Sequence, residues 1–245
     1  VSWEVRQGDA LALLLDLGDS SIDGLVTDPP YSSGGAFRAD RMAATSTKYE
    51  QSQQALKRPE FSGDNRDQRA YGYWCALWLS ECLRVCKPGA PVAIFTDWRQ
   101  LPTTIDAIQG GGWIWRGIVP WNKTEAVRPQ MGRFRAQCEY VVWGSSGPMA
   151  QRTDVGVLPG FFEGRDHPNN RDHMASKPVS VMREIVRVVP PGGLVLDPFM
   201  GCGSTGVACI REGRRFLGFE LLQANIEIAK CNLRGPLFAE AEAGA

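Results

Sequence analysis

The chain reads as an α/β protein: a mostly parallel sheet with helices on both faces. Three observations predict this. Short apolar runs of strand length alternate with segments of helical apolar spacing along most of the sequence. Two of those runs end in acid-bearing turns, Asp28-Pro29-Pro30-Tyr31 and Asp197-Pro198-Phe199-Met200-Gly201-Cys202-Gly203. Open α/β sheets bind their ligands at such carboxyl ends of strands. A length of 245 residues at 43% hydrophobic composition is enough for one sizeable core, so a single domain over 1–245 is expected.

The elements follow in order. Val5–Gln7 is a short strand ending at Gly8-Asp9, and Ala10–Leu17 has helical spacing. Leu25–Thr27 is a strand feeding Asp28. Residues 32–68 show no periodicity and are rich in Gly, Ser, Thr, Gln and Arg; loops of that length are usually functional lids or disordered. Tyr71, Trp74, Cys75, Trp78, Leu79, Cys82 and Cys86 form one helical stripe, closed by Lys87-Pro88-Gly89. Pro91–Thr96 is a strand, Leu101–Gln109 a helix stopped by three glycines, and Ile114–Trp121 and Glu139–Trp143 two further strands. Residues 144–170 are irregular. Pro178 suits a first helical turn, and Met182, Ile185, Val186 and Val189 continue the stripe. Leu194–Leu196 is a strand, Ser204–Glu212 a helix, Arg215–Phe219 a strand and Gln223–Leu233 a helix. The Ala/Glu-rich stretch 236–245 reads as a frayed tail. Seven strands result.

Composition narrows the function classes. Lys and Arg (27) balance Asp and Glu (27), so no global charge announces a partner. A local basic run, with Lys123, Arg128, Arg133 and Arg135 against Glu125, leaves two readings open: a solvated face or a basic groove. Seven cysteines without a CxxC pair, and only two histidines, disfavour a zinc site and fit buried free thiols in a reducing cytoplasm. No apolar run reaches membrane-spanning length and no signal peptide is expected.

Asp28-Pro29-Pro30-Tyr31 is ambiguous alone. It is either a turn exit or a clamp that accepts hydrogen bonds from an amino group while an aromatic ring stacks on the base that carries it. The second turn decides. Gly201 and Gly203 allow close approach of a ligand to the backbone, the helix from Ser204 and Thr205 turns its positive end to an anion, and Glu220 ends the next strand, where a carboxylate can accept from ribose hydroxyls. The pattern is neither a full dinucleotide fingerprint nor a Walker loop. It suits one nucleoside with a small anionic group, as in S-adenosylmethionine.

With both motifs in this order, the chain resembles the permuted, beta-group DNA amino-methyltransferases of the Asp-Pro-Pro-Tyr type. The resemblance implies a Rossmann-like, seven-stranded, mostly parallel methyltransferase sheet with circularly permuted motif order. It implies transfer of a methyl group from S-adenosylmethionine to N6 of an adenine flipped out of double-stranded DNA, with cytosine N4 as the alternative target and an inactive DNA-binding subunit as a remote one. Asp28, Pro29, Pro30 and Tyr31 match the catalytic motif. Asp9, Asp28, Lys177, Asp197, Phe199, Gly201, Gly203, Ser204, Thr205 and Glu220 match cofactor positions, with Lys177-Pro178 opening the helix before the glycine strand. No metal is implied. Cys202 reads as a small residue that fits the turn, since direct methyl transfer needs no covalent intermediate.

DNA contacts are expected from Arg38, Arg41, Lys48, Lys57 and Arg58 in the lid, and from Trp121, Lys123, Arg128, Arg133 and Arg135. Such cations supply affinity but little base readout. Residues 144–172 are a short candidate recognition segment. Together these predict a short or relaxed recognition sequence. Relatives also form dimers, which makes a homodimer compatible with the resemblance, and the expected location is the cytoplasm of a bacterial cell or a phage-infected bacterium.

Overall fold

The structure, a computed structural model, describes residues 2–31, 66–124, 131–164 and 177–243, the side chains of 236–243 excepted. Its elements are β1 (Trp3–Gln7), α1 (Ala10–Leu15), β2 (Gly24–Thr27), α2 (Gln68–Val85), β3 (Pro91–Thr96), α3 (Leu101–Gly110), β4 (Ile114–Asn122), β5 (Cys138–Ser145), β6 (Phe162–Glu163), α4 (Val179–Val186), β7 (Leu194–Asp197), α5 (Ser204–Arg211), β8 (Arg215–Glu220) and α6 (Gln223–Ala243). The strands form one sheet in the order β1-β8-β7-β2-β3-β5-β4-β6. Every neighbouring pair is parallel except the two made by β5, which runs against β3 and β4.

The central strands are apolar throughout because helices cover both faces. Side chains alternate between two cores, as strand geometry requires. Leu25, Ile94 and Leu196 pack with Tyr71, Trp78 and Leu79 of α2. Their neighbours Val26, Phe95 and Val195 pack with Met182 of α4, Ala208 of α5 and Phe216. Helix α2 starts where Asp67 accepts a hydrogen bond from the Ala70 N–H at 2.9 Å, satisfying an otherwise orphaned donor.

The structure corrects the strand count: the described residues form eight strands, not seven. The additional β6 is two residues long, too short for any periodicity, and pairs Phe162 and Glu163 with Trp121 and Asn122 of β4. Helix α6 continues to Ala243, where the composition suggests an end at Leu233 and a tail beyond 236. Most of the segment 32–68, and 165–172 of the candidate recognition segment, lie outside the described residues.

Ile94 is fully buried in the middle of the sheet. Ile94→Ala is expected to lower the unfolding free energy by about 2–5 kcal/mol, from lost transfer energy and the cavity left behind. Urea denaturation followed by tryptophan fluorescence measures this.

Candidate active site

Strands β2 and β7 are parallel neighbours, paired through Leu25 and Leu196, so Asp28 and the glycine turn leave the same edge of the sheet. Asp197, the last residue of β7, joins them. Its Oδ1 accepts from the Thr27 hydroxyl at 2.7 Å and from the Phe199 N–H at 3.1 Å; its Oδ2 accepts from the Thr205 hydroxyl at 2.6 Å. Burial raises the Asp197 carboxyl to about 6, with these hydrogen bonds opposing the rise. Asp197 and Thr205 thus direct their polar atoms at each other. Their observed place is inside the turn, bracing it, rather than on its open side.

The turn itself departs from ordinary backbone. Gly201 has φ +52 and Gly203 φ +83, left-handed conformations that suit glycine. A Cβ at Gly201 would meet nothing within 4 Å, so the turn presents bare backbone and open space to an incoming group. Gly203 caps α5, which starts at Ser204. Glu220 ends β8 beside β1: Gln7 pairs with Glu220, and the Gly8 N–H donates to the Glu220 carbonyl at 3.0 Å. Asp9 accepts from the Ala12 N–H at 3.2 Å as the N-cap of α1, and Glu220 Oε1 accepts from the Leu222 N–H at 2.8 Å. Asp9, Glu220 and the glycine turn therefore share one edge. Phe199 packs against Trp74 and Trp78, each ring centroid 5.1 Å away, and forms the wall toward α2.

Beside this cradle lies a knot of buried charge. The Lys177 ammonium, just before α4, stands 2.8 Å from Asp28 Oδ2, 3.0 Å from Glu139 Oε2 and 3.1 Å from the Tyr31 hydroxyl oxygen. It also sits 5.4 Å from the Tyr31 ring centre and 5.2 Å from that of Phe95, within cation–π range. Glu139 Oε1 meets the Lys123 ammonium at 2.6 Å. Burial raises the Asp28 carboxyl to about 6; Lys177 pulls against that rise and Glu139 adds to it. Burial also pushes Glu139 up, but Lys177 and Lys123 outweigh it and hold the carboxyl down at about 2. Burial works against the charged form of Lys177, yet Asp28 and Glu139 keep it well above the usual lysine value. Two carboxylate oxygens of the knot are buried without a hydrogen bond: Glu139 Oε2, which has the Lys177 ammonium 3.0 Å away, and Asp28 Oδ1. Such an atom costs stability unless something arrives to satisfy it.

Asp28, Tyr31 and Lys177 are thus brought together, and Lys177 contacts the Asp28-Pro29-Pro30-Tyr31 motif itself. Glu139 was not among the expected residues. Its signal was an acid at the first position of an apolar strand, which reads equally well as a solvated strand end. Among the residues expected to contact DNA, Trp121 and Lys123 have partners within the protein. Trp121 is buried and donates its indole N–H to the Gly164 carbonyl at 2.8 Å, and Lys123 is paired with Glu139. Both belong to the framework of β4 and β5. Arg133 is exposed and Arg135 half-buried. Arg38, Arg41, Lys48, Lys57, Arg58 and Arg128 lie outside the described residues. Among the described residues no cluster of His, Cys, Asp and Glu could hold a metal ion, and no helix is long and apolar enough to cross a membrane.

A sheet with one reversed strand, an open glycine turn and an acidic clamp at a shared edge is the frame of a group-transfer enzyme acting on an amino nitrogen. The DNA methylase family profile for N6 and N4 enzymes matches residues 22–231, and the chain belongs to that family. It is 29% identical over 218 residues to the Escherichia coli K12 protein YubD, covering 89% of this chain and 84% of the relative. It is 26% identical over 262 residues to the type II methyltransferase M.HinfI of Haemophilus influenzae, covering 94% and 68%. Among solved structures, M1.HpyAVI in complex with its S-adenosylmethionine superposes with a TM-score of 0.66 at 19% identity, over 94% of this chain and 98% of that one. The cytosine-N4-specific PvuII DNA methyltransferase superposes equally, at 0.66 and 19%, over 96% and 94%. These two likenesses establish the fold.

Removing the Thr205 hydroxyl tests the brace. Asp197 titrates near 6 when folded against 3.8 as its ordinary value, so its contribution to stability is complete below about pH 4 and lost as pH rises through 6. Thr205→Val strips a partner from the ionised form. It is expected to cost about 1–3 kcal/mol at pH 7.5 and less at pH 5, read by urea denaturation at both values.

Proposed function

We propose that the chain transfers the methyl group of S-adenosylmethionine to N6 of an adenine flipped out of DNA. The observation that carries this reading is the buried, unpartnered Asp28 Oδ1 beside a Lys177-anchored Oδ2. An amino group offers two N–H donors. Oδ1 would take one and the Pro29 carbonyl the other, fixing the nitrogen so that its lone pair faces the methyl group. Both bonds strengthen as the nitrogen becomes positive, which lowers the barrier by stabilising developing charge. Alignment of the two reactants contributes the rest.

S-adenosylmethionine, when bound, supplies a methyl group on a positively charged sulfur that needs no further activation. Glu220 and Asp9 at the β8–β1 edge and the backbone around Gly201 and Gly203 suit its ribose, adenine and carboxylate, with Phe199 as an apolar wall. When the nitrogen gains the methyl group it releases one N–H proton, and Asp28 is the nearest base. Tyr31 would stack on the flipped ring and offset part of the few kcal/mol that extrusion costs. Asp rather than Ser at the first motif position supports adenine; Arg133 and the basic lid residues support DNA. The recognition sequence is proposed to be short or relaxed.

Nucleoside mass spectrometry of DNA incubated with the protein and S-adenosylmethionine tests the reading. N6-methyladenine is expected, and N4-methylcytosine in its place would overturn the choice of base. Asp28→Asn is expected to slow single-turnover transfer by about 10²–10³-fold. The wild-type rate should fall as pH drops through about 6, because protonated Asp28 accepts the amino N–H only weakly and cannot take up the released proton, and stay level above pH 7. A rate flat from pH 5 to 8 would remove Asp28 from this role.

A further inference from the structure

Glu139 is the one acid of the knot that does not border the amino site, yet it is held in place from two sides. One oxygen contacts Lys123 at 2.6 Å; the other has no hydrogen bond but stands 3.0 Å from the Lys177 ammonium as an ion pair. A lysine ammonium is a compact charge on a flexible stem. With Asp28 as its only anion it would settle between both carboxylate oxygens. Shared with Glu139, it contacts Oδ2 at 2.8 Å, and Oδ1 has no partner. We propose that Glu139 is a positioning residue for methyl transfer: it holds the Lys177 ammonium to one side of Asp28, so that Oδ1 remains free to accept the target amino N–H.

The inference rests on the reading of Asp28 as the amino acceptor, and it assigns Glu139 a role through Lys177 alone. The charges that bear on Asp28 come from four other places in the fold. They are Lys177 before α4, Glu139 on β5, Lys123 after β4 and Asp197 on β7, with Tyr31 on its own segment. Asp97, after β3, bears on Glu139. Neutralising Glu139 removes a like charge from the surroundings of Asp28 and leaves Lys177 to Asp28 alone. Two effects follow with opposite appearance. The carboxyl of Asp28 becomes more acidic, and its free oxygen becomes occupied.

The experiment is single-turnover methyl transfer to an oligonucleotide duplex between pH 5 and 8, with S-adenosylmethionine affinity measured by calorimetry. Glu139→Gln should lower the plateau rate by roughly tenfold to a hundredfold, the loss expected for a blocked hydrogen bond to a charged group. Its acid midpoint should move below that of the wild type, with cofactor affinity unchanged. Lys177→Met should move the midpoint upward and lose most activity at pH 7, because two carboxylates then face each other. The double variant E139Q/K177M should be no slower at pH 7 than K177M alone, since Glu139 then has no ammonium left to hold. A purely structural Glu139 would lower stability without moving the midpoint. E139Q with the wild-type plateau and midpoint, or a double variant slower than K177M, overturns the proposal. Should E139Q not fold, Glu139→Asp replaces it: a kept midpoint with a lowered plateau supports the proposal, and a wild-type plateau overturns it. Absence of transfer by the wild type would instead overturn the reading of Asp28 on which the proposal rests.

Discussion

The hydrogen bond from Thr27 to Asp197 spans 170 positions of sequence and joins the two halves of the site. Its donor is the last residue of β2, one step before the amino clamp. Its acceptor is the last residue of β7, one step before the glycine turn. Asp197 also accepts from the Phe199 N–H and the Thr205 hydroxyl, so one carboxylate sets where β2 ends, how the turn leaves β7 and where α5 begins. Clamp and turn must sit a fixed distance apart for a methyl group to pass in line, and a misplacement of 1 Å is costly to such a reaction. A buried carboxylate shared by three donors from both sides is a stiff way to impose that distance.

The charges at the clamp follow a different logic. At an effective dielectric of 20, each Lys177–carboxylate contact near 3 Å is worth about 6 kcal/mol of gross attraction, and taking each ion out of water costs several kcal/mol in return. The two nearly cancel, so the knot is a poor source of stability. Its effect is on protonation and direction. In the proposed reaction Asp28 meets a flipped base in a dry site, and burial alone would protonate it. Lys177 limits that rise, leaving the carboxyl near 6 and ionised at neutral pH. The same cation would fill the clamp if nothing else drew on it.

How much of this could be read from the sequence differs by feature. Seven of the eight strands were legible because each is an apolar run bounded by turn residues; β6 was not, because two residues carry no period. The two motifs were legible because proline, glycine and acid at a strand end are rare in combination. The same signal could not show that Asp197 and Thr205 bond to each other within the turn, since sequence cannot tell an acid aimed out of a turn from one folded into it. The internal partners of Trp121 and Lys123 were hidden for a related reason. An aromatic next to a cation looks like a nucleic-acid surface, but the indole N–H is taken by Gly164 and the ammonium by Glu139. Glu139 stayed hidden because its partners Lys123 and Lys177 lie on two other segments.

The reversed strand β5 explains why such an acid can exist at all. In a parallel sheet only the last residue of each strand, and the loop after it, reach the catalytic edge. A strand running the other way brings its beginning there instead. Glu139 is the second residue of β5, opposite Trp121 near the end of β4, with Tyr140 opposite Thr96 at the end of β3. Its backbone is therefore paired with β4, and the residue after it with both neighbours, a restraint that a loop residue lacks. An ion that must divide one ammonium between two carboxylates needs that rigidity, because a shift of a few tenths of an ångström would return Lys177 to both oxygens of Asp28. The antiparallel pairings of β5 thus supply a fixed negative charge at an edge otherwise built from turns.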